Sequence, residues 1–391
     1  MLQATSRIDL RKGKEKPILQ RHHWIYSGAI ANIDRNGEIA VVHSSNGEKL
    51  GLALLNTPGQ SIFAHMIAFG TETLAYAIKH RIQSAFHMRE KWFDSSITNA
   101  YRLINAEGDG IPGLIIDSYA GILVFQISHP GTEKIKDLLI SLCIEICKPR
   151  AIIEKSTSKL RKKEGMQESR GHLYGEETFQ TEILENGIKY SIDFQEGQKT
   201  GFFLDQREAR SHIRELSKNR RVLNCFAYTG GFSLSALQGG ATHVTSVEIS
   251  KKCHLQLEKN IALNHLPLNR HEFICSDVFE YLKTCDWNYD LVILDPPAFA
   301  KKKNDIPQAF KAYKEMNQYA ISKMASNSLL LTCSCSYHID EALFRNLLFR
   351  ASLDADRHVC IVSSHRMAID HPISIFHPES AYLKSFLLSI H

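Results

Sequence analysis

From about residue 186 onward the sequence alternates between short apolar runs and longer amphipathic stretches, and this rhythm constrains the fold more than any other feature. "RVLNCFAY", "HVTSVEI", "EFICSD", "YDLVILDPP", "SLLLTCSC" and "VCIVSS" read as strands. "GGFSLSALQ", "KKCHLQLEKNIALN", "VFEYLKT", a segment near 308–325 and "DEALFRNLLFRASL" read as the helices between them, and "YLKSFLLSI" closes the series. Strands alternating with helices predict a mostly parallel, doubly wound sheet, because parallel neighbours need crossover connections. Ligands of such sheets bind at the carboxyl ends of the strands. The residues at those ends therefore carry the functional question.

The upstream half has a different texture. Residues 1 to about 72 hold short alternating segments such as "GEIAVVHSS" and "QSIFAHMIA", with Asn-Gly turns at Asn36-Gly37 and Asn46-Gly47, which predicts a small β-rich domain. Residues 73–185 mix types. "LAYAIKHRIQSAFHMREKWF" is helical and "GLIIDSYAGILVFQIS" reads as a hairpin. Ile135, Leu138, Leu139, Leu142, Cys143 and Ile146 then recur at helical spacing until Pro149. Cys143 and Cys147 thus lie one turn apart in a helix, where core packing accounts for them. The expected division is 1–72, 73–185 and 186–391.

Charge and cysteine usage narrow the function classes. Lys+Arg 47 against Asp+Glu 42 gives +5, which permits a nucleic-acid partner without demanding one. The nine Cys are odd in number, mostly inside apolar runs and never spaced CxxC, which argues against a disulfide framework and a zinc ribbon. No metal site is expected. The start "MLQATSRIDLRKGKEKP" has no apolar signal core and no window reaches membrane-span length, so a cytoplasmic protein without membrane partners is expected.

The strand ends differ in chemistry. After the first strand comes Thr229-Gly230-Gly231; the loop lacks GxGxxG, so phosphate binding is poorly supported, and it lacks GK[ST], so it is no P-loop; an ordinary strand–helix turn reads as well as a ligand loop. The second strand ends at Glu248, 18 residues after Gly230, where a carboxylate suits ribose hydroxyls or is simply solvated. Asp277 at the third could accept from an adenine amino group or cap the next helix. The fourth ends Asp295-Pro296-Pro297, a rigid extended turn that can present a carboxylate to a planar base. Gly, Glu and Asp in this order describe an adenosine pocket without phosphate clamps, which fits S-adenosylmethionine better than a dinucleotide.

These pieces resemble the class I methyltransferases that use S-adenosylmethionine, closest to the ribosomal RNA large subunit methyltransferase I-like family. "EGQKTGFFLDQREAR" (Glu196–Arg210) looks like the segment closing over the cofactor, and "VLNCFAYTGGFSLSAL" like the first cofactor motif. "DPPAFAK" (Asp295–Lys301) and "SCS" (Ser334–Ser336) match the fourth and sixth motifs. "DHPIS" (Asp370–Ser374) and "YLKSF" (Tyr382–Phe386) match the C-terminal end, and "EGDGIPGLIIDSY" and "RKKEG" the middle domain. "RHHWIYSGAI" is similar to the RNA-binding PUA module. The resemblance implies a Rossmann-like methyltransferase domain behind a PUA-like domain and a mixed α+β middle domain. It implies cofactor contacts from Thr200, Gly201, Asp205, Arg207, Asn224, Phe226, Ala227, Tyr228, Thr229 and Gly230, with Glu248 on the ribose and Asp277 on the adenine. It also implies large-subunit ribosomal RNA as partner and admits a homodimer.

Within "SLLLTCSCSYH" two thiols need a role. Carbon 5 of cytosine is a poor nucleophile, and a thiolate adding to carbon 6 activates it. The family nucleophile lies inside "SCS", which maps to Cys335; strand alternation would put Cys333 on the same face, so a back-up thiol stays open. Asp295 suits stabilisation of the base near nitrogen 3. Two other readings stand beside a cytosine-5 methyltransferase: an enzyme acting on a guanine nitrogen of RNA, which needs no thiol, and a non-catalytic RNA-binding or ribosome-assembly protein. Candidate RNA contacts are Lys301, Lys302 and Lys303 after the DPP turn, and Trp24. For Arg161–Lys163, RNA contact and a solvated face read equally well.

Overall fold

The computed structural model describes residues 3–391; residues 1 and 2, the start of the expected first domain, lie outside that range. The described chain forms two compact units. The first comprises the residues up to 184 with 192–204 and 369–380, and the second comprises 185–191, 205–368 and 381–391.

Six strands open the first unit: β1 (Ser6–Leu10), β2 (Trp24–Tyr26), β3 (Ile30–Asp34), β4 (Ile39–His43), β5 (Lys49–Leu55) and β6 (Ile62–Phe69). They form one sheet in the order β2-β6-β5-β4-β1-β3, packed around Ile8, Leu10, Val42, Leu55 and Met66. Asn46-Gly47 closes the β4–β5 hairpin, with Gly47 at φ +82°. Asn36-Gly37 does not close a hairpin. β1 inserts between β3 and β4, parallel to β4, and the Ser6 hydroxyl accepts from the amides of Asn36 and Gly37 at 3.0 and 2.9 Å. The local turn signal is there, but a strand from the chain's start takes the pairing position.

A second sheet holds β7 (Ala100–Asn105), β8 (Leu114–Tyr119), β9 (Ile122–Ile127), β10 (Ala151–Ser156) and β11 (Ser169–Gly175), ordered β11-β10-β9-β8-β7. The helices Leu74–Trp92 and Lys136–Cys147 bury Ile78, Ile82, Leu139 and Cys143 in a core with Leu103, Ile116 and Phe125. Buried charges here are paired: Arg102 with Asp117 at 2.6 and 3.0 Å, and Arg89 with Asp109 at 2.8 Å. The "DHPIS" segment is stitched to the same region, because Asp370 accepts from the Arg102 amide at 2.7 Å and Asn105 donates to the Pro372 carbonyl at 3.0 Å. Next, β12 (Gln180–Glu185) and β13 (Ile188–Asp193) pair as a two-stranded ribbon.

The second unit carries β14 (Arg221–Cys225), β15 (His243–Val247), β16 (His271–Ile274), β17 (Leu291–Leu294), β18 (Ser328–Ser334), β19 (Val359–His365) and β20 (Lys384–Ile390). Their order is β16-β15-β14-β17-β18-β20-β19. The first five run parallel, as the alternation predicts, and β20 enters antiparallel between β18 and β19. The four residues of β17 are all buried, as expected for a strand covered on both faces. Strand order reverses between β14 and β17, so the carboxyl ends of these strands flank the switch point where such sheets bind ligands.

Candidate active site

Beyond β14 the backbone is tightly wound. Phe226, Tyr228 and Gly230 have φ of +58°, +49° and +86°, and left-handed non-glycine residues cost on the order of 1 kcal/mol each. Ala227 donates to the Val247 carbonyl at 3.1 Å and the Tyr228 amide to Glu248 Oε2 at 3.1 Å, which hold the loop against the tip of β15. A Cβ on Gly230 would sit 2.6 Å from Leu257 Cγ, so this glycine is required by helix packing as well as by its dihedral. Thr229 offers its carbonyl to Asn260 at 3.2 Å. Asn224 is buried and donates to the Ser233 hydroxyl at 2.8 Å, so its side-chain amide is engaged inside the sheet.

Glu248 is half-buried, and its other oxygen accepts from the Ser250 amide at 3.0 Å. Asp277 is the N-cap of the helix Val278–Thr284; Phe279 and Glu280 donate at 2.8 and 3.2 Å, both to Oδ1. The capping role read from sequence is thus realised on one oxygen only.

The segment Glu196–Arg210 is divided. Thr200 and Gly201 belong to the first unit. Thr200 is buried, donating to Asp117 at 2.5 Å and hydrogen-bonded to the Tyr119 hydroxyl at 2.9 Å. A Cβ on Gly201 would meet Ile192 at 2.8 Å. Asp205 and Arg207 belong to the second unit. Asp205 accepts from the Tyr382 hydroxyl at 2.5 Å. Arg207 is buried with Nε 3.7 Å from Glu185, which also takes a bidentate pair from Arg210 at 2.6 and 2.7 Å.

At the ends of β17 and β18 lie Asp295 and the two thiols. Gln206 donates to Asp295 Oδ1 at 2.9 Å. Cys333 is wholly buried, with Sγ 3.3 Å from the Ser385 hydroxyl. Burial first, and then the charge of Asp295, push its thiol well above the ordinary range. Cys335 is only partly buried, and Sγ lies 3.7 Å from the Pro296 carbonyl. Ser336 pins this turn to the DPP loop, accepting from the Ala300 amide at 3.1 Å and bonded to the Tyr313 hydroxyl at 3.0 Å. Lys384, the first residue of β20, donates to the carbonyls of Ser336 and Tyr382 at 2.7 and 2.6 Å. Sequence reading missed Gln206, Tyr382 and Lys384 as individual site residues. Gln206 lies inside "EGQKTGFFLDQREAR", and Tyr382 and Lys384 inside "YLKSF", but only tertiary pairing gives them their partners.

Lys301, Lys302 and Lys303 are exposed on a loop whose first two amides donate to Asp305 at 3.0 and 2.9 Å. Arg161 is neither solvated nor presented: it is buried and donates to Glu133 at 2.7 Å and the Ile127 carbonyl at 3.1 Å. Trp24 packs edge-on against His377, with ring centroids 4.6 Å apart. Among the described residues, His22, His377 and Glu379 bring ligand-type atoms within 4.8 Å of one another. His22 Nδ1 accepts from the Trp24 amide at 3.2 Å, and its Nε2 lies 3.3 Å from Glu379 Oε1.

Residues 111–345 match the model of an S-adenosylmethionine-dependent methyltransferase family, and residues 8–66 that of a PUA-like domain. The chain is 38% identical to the ribosomal RNA large subunit methyltransferase I of Aliivibrio fischeri (strain MJ11), covering 98% of each chain. It is 38% identical to that of Escherichia coli (strain SMS-3-5 / SECEC), covering 97% of this chain and 98% of the relative. A solved structure from Streptococcus mutans, described as a SAM-dependent methyltransferase, superposes with a TM-score of 0.83 at 25% identity, covering 98% of this chain and 99% of that one. Another, described as a methyltransferase complexed with SAH, has a TM-score of 0.85 at 25% identity over the same shares. Among the described residues no helix is long and apolar enough to cross a membrane.

Proposed function

Because the chain belongs to the ribosomal RNA large subunit methyltransferase I family of S-adenosylmethionine-dependent methyltransferases, we propose that it methylates carbon 5 of a cytosine in large-subunit ribosomal RNA through a covalent adduct on Cys335. S-adenosylmethionine is the cofactor, and when bound it supplies an electrophilic methyl group. The donor set suits it. Carboxylates stand at two successive strand ends, Glu248 and Asp277, ready for ribose and adenine donors, and the wound loop Phe226–Gly230 carries no basic side chain for a phosphate.

The observation that carries the finer reading is the pairing of Asp295 and Cys335 at neighbouring strand ends, with Cys335 Sγ against the Pro296 carbonyl. The Cys335 thiolate adds to carbon 6 of the base, the ring double bond opens and carbon 5 becomes nucleophilic. Asp295, steadied by Gln206, hydrogen-bonds the base near nitrogen 3 and holds it in place for attack. Once carbon 5 carries the methyl, its proton passes to solvent, the double bond re-forms and the thiolate is expelled. A base inside a duplex must first leave the stack to be reached. The PUA-like domain and the exposed Lys301–Lys303 loop supply RNA contacts in this reading, and the cytoplasm is where the substrate is met.

Methyl transfer from labelled S-adenosylmethionine to unmodified large-subunit ribosomal RNA, with the nucleoside identified after digestion, tests the proposal. Recovery of 5-methylcytidine is expected. A methylated guanosine would overturn it and leave the thiols as core filler.

A further inference from the structure

The thiol of Cys335 must be ionised to attack, and nothing in the "SCS" sequence itself lowers its proton affinity. β20 provides a cation. It runs antiparallel to β18 with Ser334 opposite Lys384 and Cys333 opposite Ser385. The register therefore brings the Lys384 stem up beside the last residues before the nucleophile. Its Nζ is anchored at two points, by the carbonyl of Ser336, the residue after Cys335, at 2.7 Å and by that of Tyr382 at 2.6 Å. An ammonium has three donors and these carbonyls take two. Ser336 is itself fixed by Ala300 and Tyr313, so the amine, the backbone just past the thiol and the DPP loop are held together.

The charges around the thiol do not all help. Asp295 acts on the neighbouring Cys333 and opposes ionisation there, and the Tyr313 hydroxyl on the helix Ile306–Lys323 feels Cys335. Asp340, which caps the helix Glu341–Asp354, bears on Lys384 together with Cys335. Burial lowers the Lys384 amine to about 8, and the charges of Cys335 and Asp340 act in the opposite sense, so it remains largely an ammonium at neutral pH.

We propose that Lys384 is a positioning residue that holds Cys335 as a thiolate and fixes the turn carrying it, an inference that rests on Cys335 being the nucleophile. The thiol proton is released to solvent and the negative charge stays beside the ammonium. The same lysine thereby does for this thiol what a neighbouring cation does for reactive cysteines in general.

Alkylation by iodoacetamide, followed at the Cys335 peptide by mass spectrometry across pH, reads the ionisation directly and does not depend on which nucleoside is methylated. Failure of the cytosine-5 reading and failure of this inference are therefore distinguishable. In the full chain Lys384→Met is expected to raise the midpoint by roughly one to three pH units. Lys384→Arg is expected to return it toward the wild-type value, with S-adenosylmethionine binding by calorimetry retained in both. An unchanged midpoint in Lys384→Met overturns the proposal. Equal shifts in both variants accompanied by loss of cofactor binding also overturn it, because the lysine would then serve only the fold.

Discussion

Gln206 Nε2 donates to Oδ1 of Asp295 across 2.9 Å, joining the segment that precedes the helix Arg207–Leu216 to the tip of β17. Gln206 is 4% exposed, so water does not readily replace it. A hydrogen bond to a charged group contributes about 1.5–3 kcal/mol. Gln206→Leu, close in volume, is therefore expected to lower kcat by roughly 10- to 100-fold. S-adenosylmethionine affinity should change far less, because the lost contact is to Asp295. Equal losses in kcat and cofactor affinity would assign Gln206 to cofactor binding instead.

The two thiols should behave oppositely. Cys333 is buried and its proton is held tightly, so it is not a thiolate near neutrality. Cys333→Ala is expected to retain methyl transfer within several-fold and to cost about 1 kcal/mol of stability for the small cavity. Cys335→Ala is expected to lose transfer by on the order of a thousandfold or more. Trapping with RNA containing 5-fluorocytosine offers an independent check. A denaturant-stable protein–RNA adduct should form with wild type and Cys333→Ala and be absent from Cys335→Ala.

Much of this arrangement was legible because it is local. Glu248, Asp277 and Asp295 stand out as acids at the ends of apolar runs, and the parallel order of β14 to β18 follows from the intervening helices. What escaped depends on distant pairing. Tyr382 meets Asp205 across 177 residues of chain, and Lys384 meets Ser336 only because β20 reverses direction beside β18. Nothing in "YLKSFLLSI" marks that insertion, since an antiparallel central strand has the same apolar run as a parallel one. Asn36-Gly37 fails as a hairpin signal for a related reason. Its turn chemistry is intact, but β1 occupies the place between the two strands it joins.

Stability should fall in mild acid. His271 Nε2 is hydrogen-bonded to the Ser246 hydroxyl at 2.8 Å, and burial pushes the ring down to about 4. The unfolded chain protonates this histidine near 6.5 while the folded chain does not, so the unfolded state binds more protons and stability drops as pH falls from about 6.5 to 4. The full effect is roughly 3 kcal/mol. Urea denaturation at stepped pH should show this slope, and His271→Asn should flatten it. Some slope should persist, because burial also pushes His23 down to about 4. A slope unaltered in His271→Asn would place the acid sensitivity elsewhere.

The lysine loop after the DPP turn gives the last test. Lys301, Lys302 and Lys303 are exposed, and the loop's shape is set by backbone bonds to Asp305 rather than by the lysine ammonium groups. Replacing all three by Gln should therefore leave the fold intact while removing three charges. If each meets a phosphate of single-stranded RNA, the slope of log K against log salt should become shallower by about 0.7 per contact, or roughly 2 in all. The loss of affinity should be similar across RNA sequences, since phosphate contacts carry no base information. A salt slope equal to wild type would show that RNA does not contact this loop, and the search for its phosphate contacts would move to the PUA-like domain.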